Sequence, residues 1–208
     1  MPPIFFQKFW NIIKKELVSA TQTFFHTGHL LKSVNHIIIS LILKITNLTS
    51  LKHYRPISLW TTVYQISAKV LANRLKKVLQ FCICKNQSAF IPGRQSLDNI
   101  TIAHEFMHYP KNKRQGKDCF MVVKIDMSKA YDRVEWRFLE AVIQKIRLNE
   151  NWRKWILDCM STVSYSFTIN GEVNEYVIPN RGIRQQDPLS SYLFLLCSKG
   201  FSNLLRKA

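Results

Sequence analysis

The chain has 208 residues, of which 47% are hydrophobic and 12% aromatic; this composition excludes a disordered or fibrous protein and allows one sizeable core or two small domains. Its net charge of +17 is concentrated in residues 1–97, which carry 13 Lys and Arg against a single acid, Glu16. Charge of one sign on this scale favours a polyanionic partner, with nucleic acid the first candidate and an anionic membrane surface the second.

The cysteines and the apolar runs argue against a cysteine zinc site, a membrane-spanning protein and a secreted protein. Five cysteines, an odd number, are typical of free thiols in a reducing compartment, and Cys82 and Cys84 lack the second pair that a zinc site needs. The longest apolar run, around 37–43, is far shorter than the roughly 20 residues that cross a bilayer. The first residues lack the basic segment of a secretory signal. We therefore expect an intracellular protein of the nucleus or cytoplasm.

Periodic patterns divide the first half of the chain. Apolar residues at helical spacing predict an amphipathic helix over 4–20, and a short helix near 21–27 is expected to end at Gly28. Residues 35–45 predict a strand, followed by a turn over 46–53. The clearest helix covers residues 62–80, with a predicted buried face of Val63, Ile66, Val70, Leu71, Leu75, Val78 and Leu79.

The second half alternates helices with short strands. The predicted elements are a helix after Asp98, a basic loop at 110–118, a buried strand at 120–126, helices near 132–147 and 151–161, strand-like runs at 164–169 and 172–178, and a last helix from about 191. Asn170-Gly171 joins the two strand-like runs and is a strong hairpin signal.

The strand predicted at 120–126 ends in a carboxylate, Asp126. An ionised carboxylate at the end of a buried strand is costly unless it faces a cation or a cleft. Two interpretations stay open from the residues alone: a metal ligand at the tip of the strand, or a cap for the helix that follows.

A second candidate site is the sequence HEFMH at 104–108, on a predicted helix. His104 and His108 would share one helix face and Glu105 would supply a general base, which is the pattern of a zinc metalloprotease. That remote alternative needs a third ligand and a cleft, and the plainer interpretation is two surface histidines.

Three separated stretches carry a family resemblance: LKHYRPISLW with VLANRLKKVL (51–79), NQSAFIPGRQSLDNI (86–100), and KIDMSKAYDRVEW with NRGIRQQDPLSSYLFLL (124–136 and 180–196). In this order and spacing they resemble the reverse transcriptase of LINE-type (non-LTR) retrotransposons, particularly the plant forms. The resemblance implies an α+β fold, the fingers and partial palm of a right-hand polymerase with the thumb absent. It also implies an N-terminal extension and fingers at 1–118 and a partial palm at 119–208 with an interleaved hairpin.

The resemblance also implies a site for RNA-directed DNA synthesis on an RNA template and a DNA primer with deoxynucleoside triphosphates. Asp126 matches the motif A aspartate that binds Mg²⁺, and Tyr131 matches the aromatic residue under the nucleotide sugar. Lys44 and Arg55 match basic fingers residues that approach the triphosphate. Arg184 and Gln185 match the motif B loop beside the sugar and template. We expect Asp126 to face a groove lined by the arginines and by Gln185.

Two departures from the family pattern bear on activity. Gln186 stands where the family has Gly, at a turn where Gly permits positive φ or close backbone approach. The 208 residues contain no adjacent pair of aspartates, so the motif C carboxylates are missing from this sequence. We therefore expect a polymerase fragment without activity of its own, with a sheet edge and an apolar face left bare. The alternative is a non-catalytic, basic nucleic-acid-binding remnant.

Overall fold

The computed structural model of the chain describes residues 3–44, 50, 53–112 and 123–207. It opens with helices α1 (Pro3–Lys8) and α2 (Trp10–Thr27), so the predicted break near residue 20 lies instead at Phe9. Helix α2 ends at Gly28, whose φ of 71° lets its N–H bond the carbonyl of Phe24 at 2.8 Å. This is the left-handed cap that glycine supplies most readily, as the sequence predicts.

A four-stranded sheet joins distant parts of the chain. Its strands are β1 (His36–Leu43), β2 (Tyr54–Leu59), β3 (Ser164–Ile169) and β4 (Glu172–Val177), in the order β2-β1-β3-β4. Strand β1 runs antiparallel to β2 and parallel to β3, and β3 is antiparallel to β4. The strands predicted at 35–45, 164–169 and 172–178 are confirmed, whereas β2 was not predicted as a strand. Most of the predicted turn over 46–53 lies outside the described residues.

The hairpin between β3 and β4 follows from its turn sequence. Asn170 and Gly171 both have positive φ, 53° and 86°. A two-residue turn of this kind needs positive φ at both positions, and it matches the twist of the flanking strands.

Five further helices complete the described chain: α3 (Thr62–Cys82), α4 (Ser96–Asn112), α5 (Trp136–Lys145), α6 (Glu150–Ser161) and α7 (Ser190–Leu205). Helices α3, α5, α6 and α7 bury one apolar cluster that includes Tyr64, Leu71, Leu139, Ile156 and Leu193. Helix α4 lies outside this core and leaves apolar side chains such as Ile100 and Phe106 exposed. Helix α5 begins four residues later than the sequence predicts.

The prediction of a buried strand ending at Asp126 is wrong for the part that the structure describes. Residues 123–127 form neither helix nor strand, and residues 120–122 lie outside the described chain. Val123 and Ile125 are 64% and 57% exposed. A strand takes its backbone hydrogen bonds from a neighbour, and no described strand lies alongside this segment.

One sheet contains strands from both sides of residue 118, since β1 is paired with β3. The division into an N-terminal extension with fingers at 1–118 and a partial palm at 119–208 therefore stays a prediction. Among the described helices, none combines the length and the apolar character needed to cross a bilayer.

Candidate functional site

The two segments that carry motifs A and B lie against each other. The N–H of Gly182 donates to the carbonyl of Val134 at 2.7 Å, and the N–H of Ile183 donates to the carbonyl of Tyr131 at 2.9 Å. Gly182 has φ of 88°, and a Cβ there would lie 3.2 Å from the carbonyl oxygen of Asp132. Only glycine allows this approach without strain. The same contacts explain why α5 starts late, since they hold residues 131–134 in a non-helical path.

Tyr131 sits at this junction. Its ring is half-buried and stacks on Phe194 of α7, with centroids 5.0 Å apart and planes 14° from parallel. The predicted position beneath a nucleotide sugar stays a prediction, but one face of the ring is held by Phe194 and the backbone is tied to the motif B segment.

Asp126 lines an open groove of about 520 Å³ beside α5 and α7. The carboxylate is exposed, and the groove also takes in Arg133, Glu135 and Phe194. Neither Arg184 nor Gln185 is among its lining residues, nor are Lys44 and Arg55. The grouping of Asp126 with the arginines and Gln185 around one nucleotide therefore stays a prediction.

The residues around Asp126 supply part of a metal site. Asp126 and Glu135 offer oxygen donors on the wall of one groove, and oxygen is the ligand that hard divalent cations prefer. Among residues 3–44, 50, 53–112 and 123–207, however, no group of three His, Cys, Asp or Glu side chains is placed to hold a metal. The described residues therefore supply only part of a metal site.

Lys44 and Arg55 are brought together by the β1–β2 hairpin. Arg55 pairs with Ile42 in the register, and the N–H of Lys44 donates to the carbonyl of His53 at 2.8 Å, which continues the ladder. Since Ile42 and Lys44 are two residues apart, Lys44 and Arg55 project from the same face of the sheet. Both side chains are exposed. The pair forms a local concentration of positive charge at one end of the hairpin.

Arg184 is buried, in contrast to the predicted nucleotide contact. Its side chain is 7% exposed, its guanidinium lies 4.4 Å from the ring centroid of Tyr64 and 5.5 Å from that of Trp60, and its Nη2 donates to the carbonyl of Cys159. Burial acts to lower the pKa of Arg184, but the neighbouring Tyr64 and Asp187 raise it overall, so the guanidinium stays charged.

Asp187 lies in the motif B stretch that carries the family resemblance, whereas its partner Tyr64 was not predicted from the sequence. The hydroxyl of Tyr64 donates to Oδ2 of Asp187 at 2.6 Å, and Oδ1 of Asp187 accepts from the N–H of Leu189 at 2.9 Å. Burial raises the pKa of Tyr64 well above its ordinary value, so the hydroxyl remains a donor. The signal for Asp187 was available, since an acid just before a helix is a common capping residue.

The two residues that follow Arg184 in motif B are exposed, whereas Arg184 is buried. Gln185 and Gln186 are exposed, and Gln186 has φ of 68°. The positive φ explains why glycine suits this position, and it shows that glutamine is accommodated there with the same backbone shape.

The HEFMH sequence lies on α4. The rings of His104 and His108 share a face as predicted, with centroids 4.4 Å apart, and both side chains are exposed together with Glu105. Within the part of the chain that the structure describes, no third ligand accompanies them. A zinc hydrolase site has no further support.

Comparison with known proteins gives the family. Residues 42–208 match the reverse transcriptase (RNA-dependent DNA polymerase) family. The chain is 31% identical over 203 residues, 98% of its length, to an uncharacterized 149 kDa protein of transposon TX1 from Xenopus laevis. It is 25% identical over 166 residues to the Pol polyprotein of the type-1 retrotransposable element R2 from Popillia japonica.

A shorter match joins the chain to a plant sequence, an uncharacterized mitochondrial protein of Arabidopsis thaliana, at 55% identity over 42 residues. The matched regions span 15% of the Xenopus laevis protein and 23% of the Popillia japonica protein. By these matches the chain belongs to the reverse transcriptase (RNA-dependent DNA polymerase) family, in the branch carried by non-LTR retrotransposons.

Proposed function

We propose that this chain forms the fingers and part of the palm of a right-hand polymerase. It would supply part of the polymerising centre of an RNA-directed DNA polymerase. The observation that carries the proposal is the backbone pairing of Tyr131 and Val134 with Ile183 and Gly182. This pairing joins the two segments whose motifs resemble those that surround the incoming nucleotide, within a chain of the reverse transcriptase family.

Each predicted residue has a proposed role that fits its surroundings. Exposed Lys44 and Arg55 would attract the triphosphate, and the planar fork of Arg55 suits phosphate oxygens. The ring of Tyr131, fixed by Phe194, would lie under the sugar. Exposed Gln185 would contact the template or the sugar. Arg184, being buried, is given a supporting role that is argued below.

Asp126 would be one ligand of a divalent cation, Mg²⁺ in this proposal. A pair of such ions supplies charge stabilisation for nucleotidyl transfer when bound. The sequence contains no adjacent aspartates to supply the motif C carboxylates, and the other carboxylate on this groove is that of Glu135. An exposed Asp126 on an open groove is compatible with a partner that completes the site.

The proposal is tested by binding to an RNA template annealed to a DNA primer. We expect the chain to bind this duplex, with affinity that falls steeply as salt rises, and to bind more tightly when the complementary triphosphate is added. Arg55→Ala should remove the triphosphate effect and weaken binding about tenfold, the loss expected for one charge-assisted hydrogen bond. Arg147→Ala, which removes an exposed charge from a loop, is the matched control.

Primer extension by the purified 208-residue polypeptide supplies the second readout. Because these residues provide one motif A carboxylate only, we expect no extension above that of an Asp126→Ala variant. Robust extension that depends on Asp126 would contradict the incomplete-site interpretation while supporting the polymerase assignment.

A basic nucleic-acid-binding remnant is the second candidate function, favoured by the 13 Lys and Arg against one acid in residues 1–97. It predicts steep salt dependence with no response to the complementary triphosphate. If Arg55→Ala and Arg147→Ala weaken binding equally and the triphosphate has no effect, this remnant is the better description.

A further inference from the structure

A closed polar cluster lies beneath the exposed glutamines of motif B. It consists of Arg184, Tyr64 and Asp187, and it links three elements: α3, the end of α6 and the segment before α7. Tyr64 lies in the first turn of α3, and the carbonyl of Cys159 in α6 accepts from Arg184. Asp187 receives the Tyr64 hydroxyl on one oxygen and the N–H of Leu189 on the other. The segment between Arg184 and Leu189 is therefore attached to the core at both ends.

One donor of the cluster has no protein partner. The Nη1 atom of Arg184 is buried without a hydrogen bond to any described residue. A small cavity of about 10 Å³ is lined by Arg184 together with Tyr64, Tyr165 and Ser190. This volume suits a single water molecule, and a buried water needs two or more polar partners, which the guanidinium and the neighbouring hydroxyl groups provide. Leaving a charged N–H unpaired would be costly.

The side chains of segment 184–187 face in two different directions. Arg184 and Asp187 point inward and are buried, whereas Gln185 and Gln186 between them are exposed. The positive φ of Gln186 reverses the chain at this point. Holding the two outer residues of this four-residue segment fixes the direction in which the two inner residues face.

We propose that Arg184 is a positioning residue: with Tyr64, Asp187 and one water molecule in the small cavity, it fixes segment 184–187 so that Gln185 is presented outward to the nucleic acid. The part that concerns nucleic acid rests on the proposed function. The part that concerns the segment itself stands on the contacts of the cluster alone.

Hydrogen exchange measured by mass spectrometry tests the effect on the segment. Tyr64→Phe removes the bond to Asp187 and keeps the ring against Arg184. We expect exchange in residues 183–190 to accelerate about 10-fold or more, as befits a lost bond to a charged group, with the β3–β4 hairpin unchanged. Tyr176→Phe, which alters an exposed tyrosine in that hairpin, is the control and should change neither region.

Arg184→Lys provides an independent variant. Lysine keeps the charge but lacks the planar fork that reaches both the Cys159 carbonyl and the small cavity, so the same local acceleration is expected. Unchanged exchange in residues 183–190 of both variants, or an equal acceleration throughout the chain, would overturn the proposal.

A double-mutant cycle tests whether the cluster acts through Gln185. The affinity for the RNA–DNA primer–template is measured for Tyr64→Phe, Gln185→Ala and the double variant. If Tyr64 acts by positioning Gln185, each single change weakens binding and the double variant is no weaker than Gln185→Ala alone. Additive losses, or a Gln185→Ala variant that binds like the unaltered chain, would overturn the outward-presenting role.

Hydrogen exchange and primer–template binding together distinguish a failure of this proposal from a failure of the proposed function. A chain that fails to bind the primer–template contradicts the polymerase assignment, while hydrogen exchange still decides whether the cluster fixes the segment. Local acceleration of exchange together with non-additive binding supports both.

Discussion

Gln186 has a positive backbone φ, a conformation that favours glycine. The family resemblance marks this position as a glycine site, and the structure gives φ of 68° there. An L-residue in this region carries strain of about 1–2 kcal/mol that glycine escapes, while glycine loses about 0.5–1 kcal/mol through the freedom of its unfolded chain. The two terms nearly offset each other, so glutamine is tolerated.

The replacement Gln186→Gly should therefore leave the free energy of unfolding unchanged or raise it by up to about 1 kcal/mol. Gln186→Val should lower it by about 1–2 kcal/mol, because a β-branched side chain disfavours positive φ further. Denaturation by urea measures both. Gln185→Gly, at a neighbour without positive φ, is the control and should destabilise; a Gln186→Gly variant that loses as much stability would contradict the strain argument.

The cysteines differ in reactivity for physical reasons. The thiol of Cys84 accepts a hydrogen bond from Nζ of Lys199 at 2.7 Å, and this contact, with the charge of Arg206, lowers the pKa of the thiol. Burial raises the pKa of Cys159 and of Cys197 to about 12. At neutral pH the thiolate fraction is therefore larger for Cys84, and the thiolate is the reactive form.

Alkylation with iodoacetamide at pH 7, followed peptide by peptide, should modify Cys84 before Cys82, Cys159 and Cys197. Lys199→Met should slow the reaction of Cys84 several-fold at pH 7, because its pKa returns toward the ordinary value, and the difference should vanish above about pH 10. Lys207→Met is the matched control. Equal rates for Cys84 in both variants would show that Lys199 does not stabilise the thiolate.

Charged residues of the site were the hardest to place from sequence. Arg184 was expected beside the nucleotide because it matches motif B of the family, yet its guanidinium lies against Tyr64 of α3 and bonds the carbonyl of Cys159 in α6. The partners Tyr64 and Cys159 are distant in sequence, so no local pattern reveals them. Lys44 and Arg55, by contrast, lie in consecutive strands of a hairpin, and their proximity follows from local pairing.

At the scale of elements, hydrophobic periodicity predicts the range of helix α3 but not the residues of its buried face. The range 62–80 was predicted and the helix spans Thr62–Cys82. The buried face is shifted, however, from Val63, Ile66 and Val70 to a stripe of Tyr64, Ser67, Ala68, Leu71, Ala72, Leu75 and Leu79. Small residues allow neighbouring helices to approach closely, and a scale of hydrophobicity gives them little weight.

The strand predicted at 120–126 is the complementary case. Its composition favours a strand, and the described residues 123–127 do not form one. Helices make their hydrogen bonds internally, whereas a strand depends on a neighbour, so the pattern of one segment cannot decide whether a strand forms.

Close packing between α5 and α7 depends on Gly200. A Cβ at this position would lie 2.7 Å from Cγ2 of Val142 and 3.1 Å from Cζ of Phe138. Gly200→Ala should therefore lower the free energy of unfolding by about 1–3 kcal/mol through overpacking, although alanine is worth about 1 kcal/mol more than glycine in a helix.

The variant Val142→Ala supplies the matched background for that test. With the valine methyl groups removed, Gly200→Ala has room and its helix propensity should make it neutral or stabilising. The four unfolding free energies give the coupling directly, and a Gly200→Ala effect that is the same in both backgrounds would contradict the packing argument.

At the scale of the whole molecule, apolar surface outside the core is extensive. Helix α4 exposes Leu97, Ile100, Phe106 and Met107, and the segment after it exposes Val123 and Ile125. Monomeric proteins seldom leave contiguous apolar patches of large size uncovered. The sequence analysis expected the bare apolar face on the palm sheet, which these exposures do not test, and the exposed side chains of α4 were not predicted.

Self-association should follow from the apolar side chains that α4 exposes. Replacing Ile100 and Phe106 by Lys should reduce light scattering and the fluorescence of a bound hydrophobic dye several-fold, because two apolar side chains are removed from the surface. Thr101 and His104 replaced by Lys add the same charge to the same helix and serve as the control. Equal reductions in both variants would assign the association to charge alone.

The parallel pairing of β1 with β3 has a consequence for synthesis on the ribosome. His36 contacts Ser164 across 128 residues of sequence. At translation rates of about 5–20 residues per second, roughly 6–25 s separate the emergence of the two strands. During that interval the nascent β1–β2 hairpin carries an unpaired inner edge, which invites premature pairing with other chains. Until Ser164–Ile169 has been made, we expect this edge to need cover from another protein, such as a molecular chaperone.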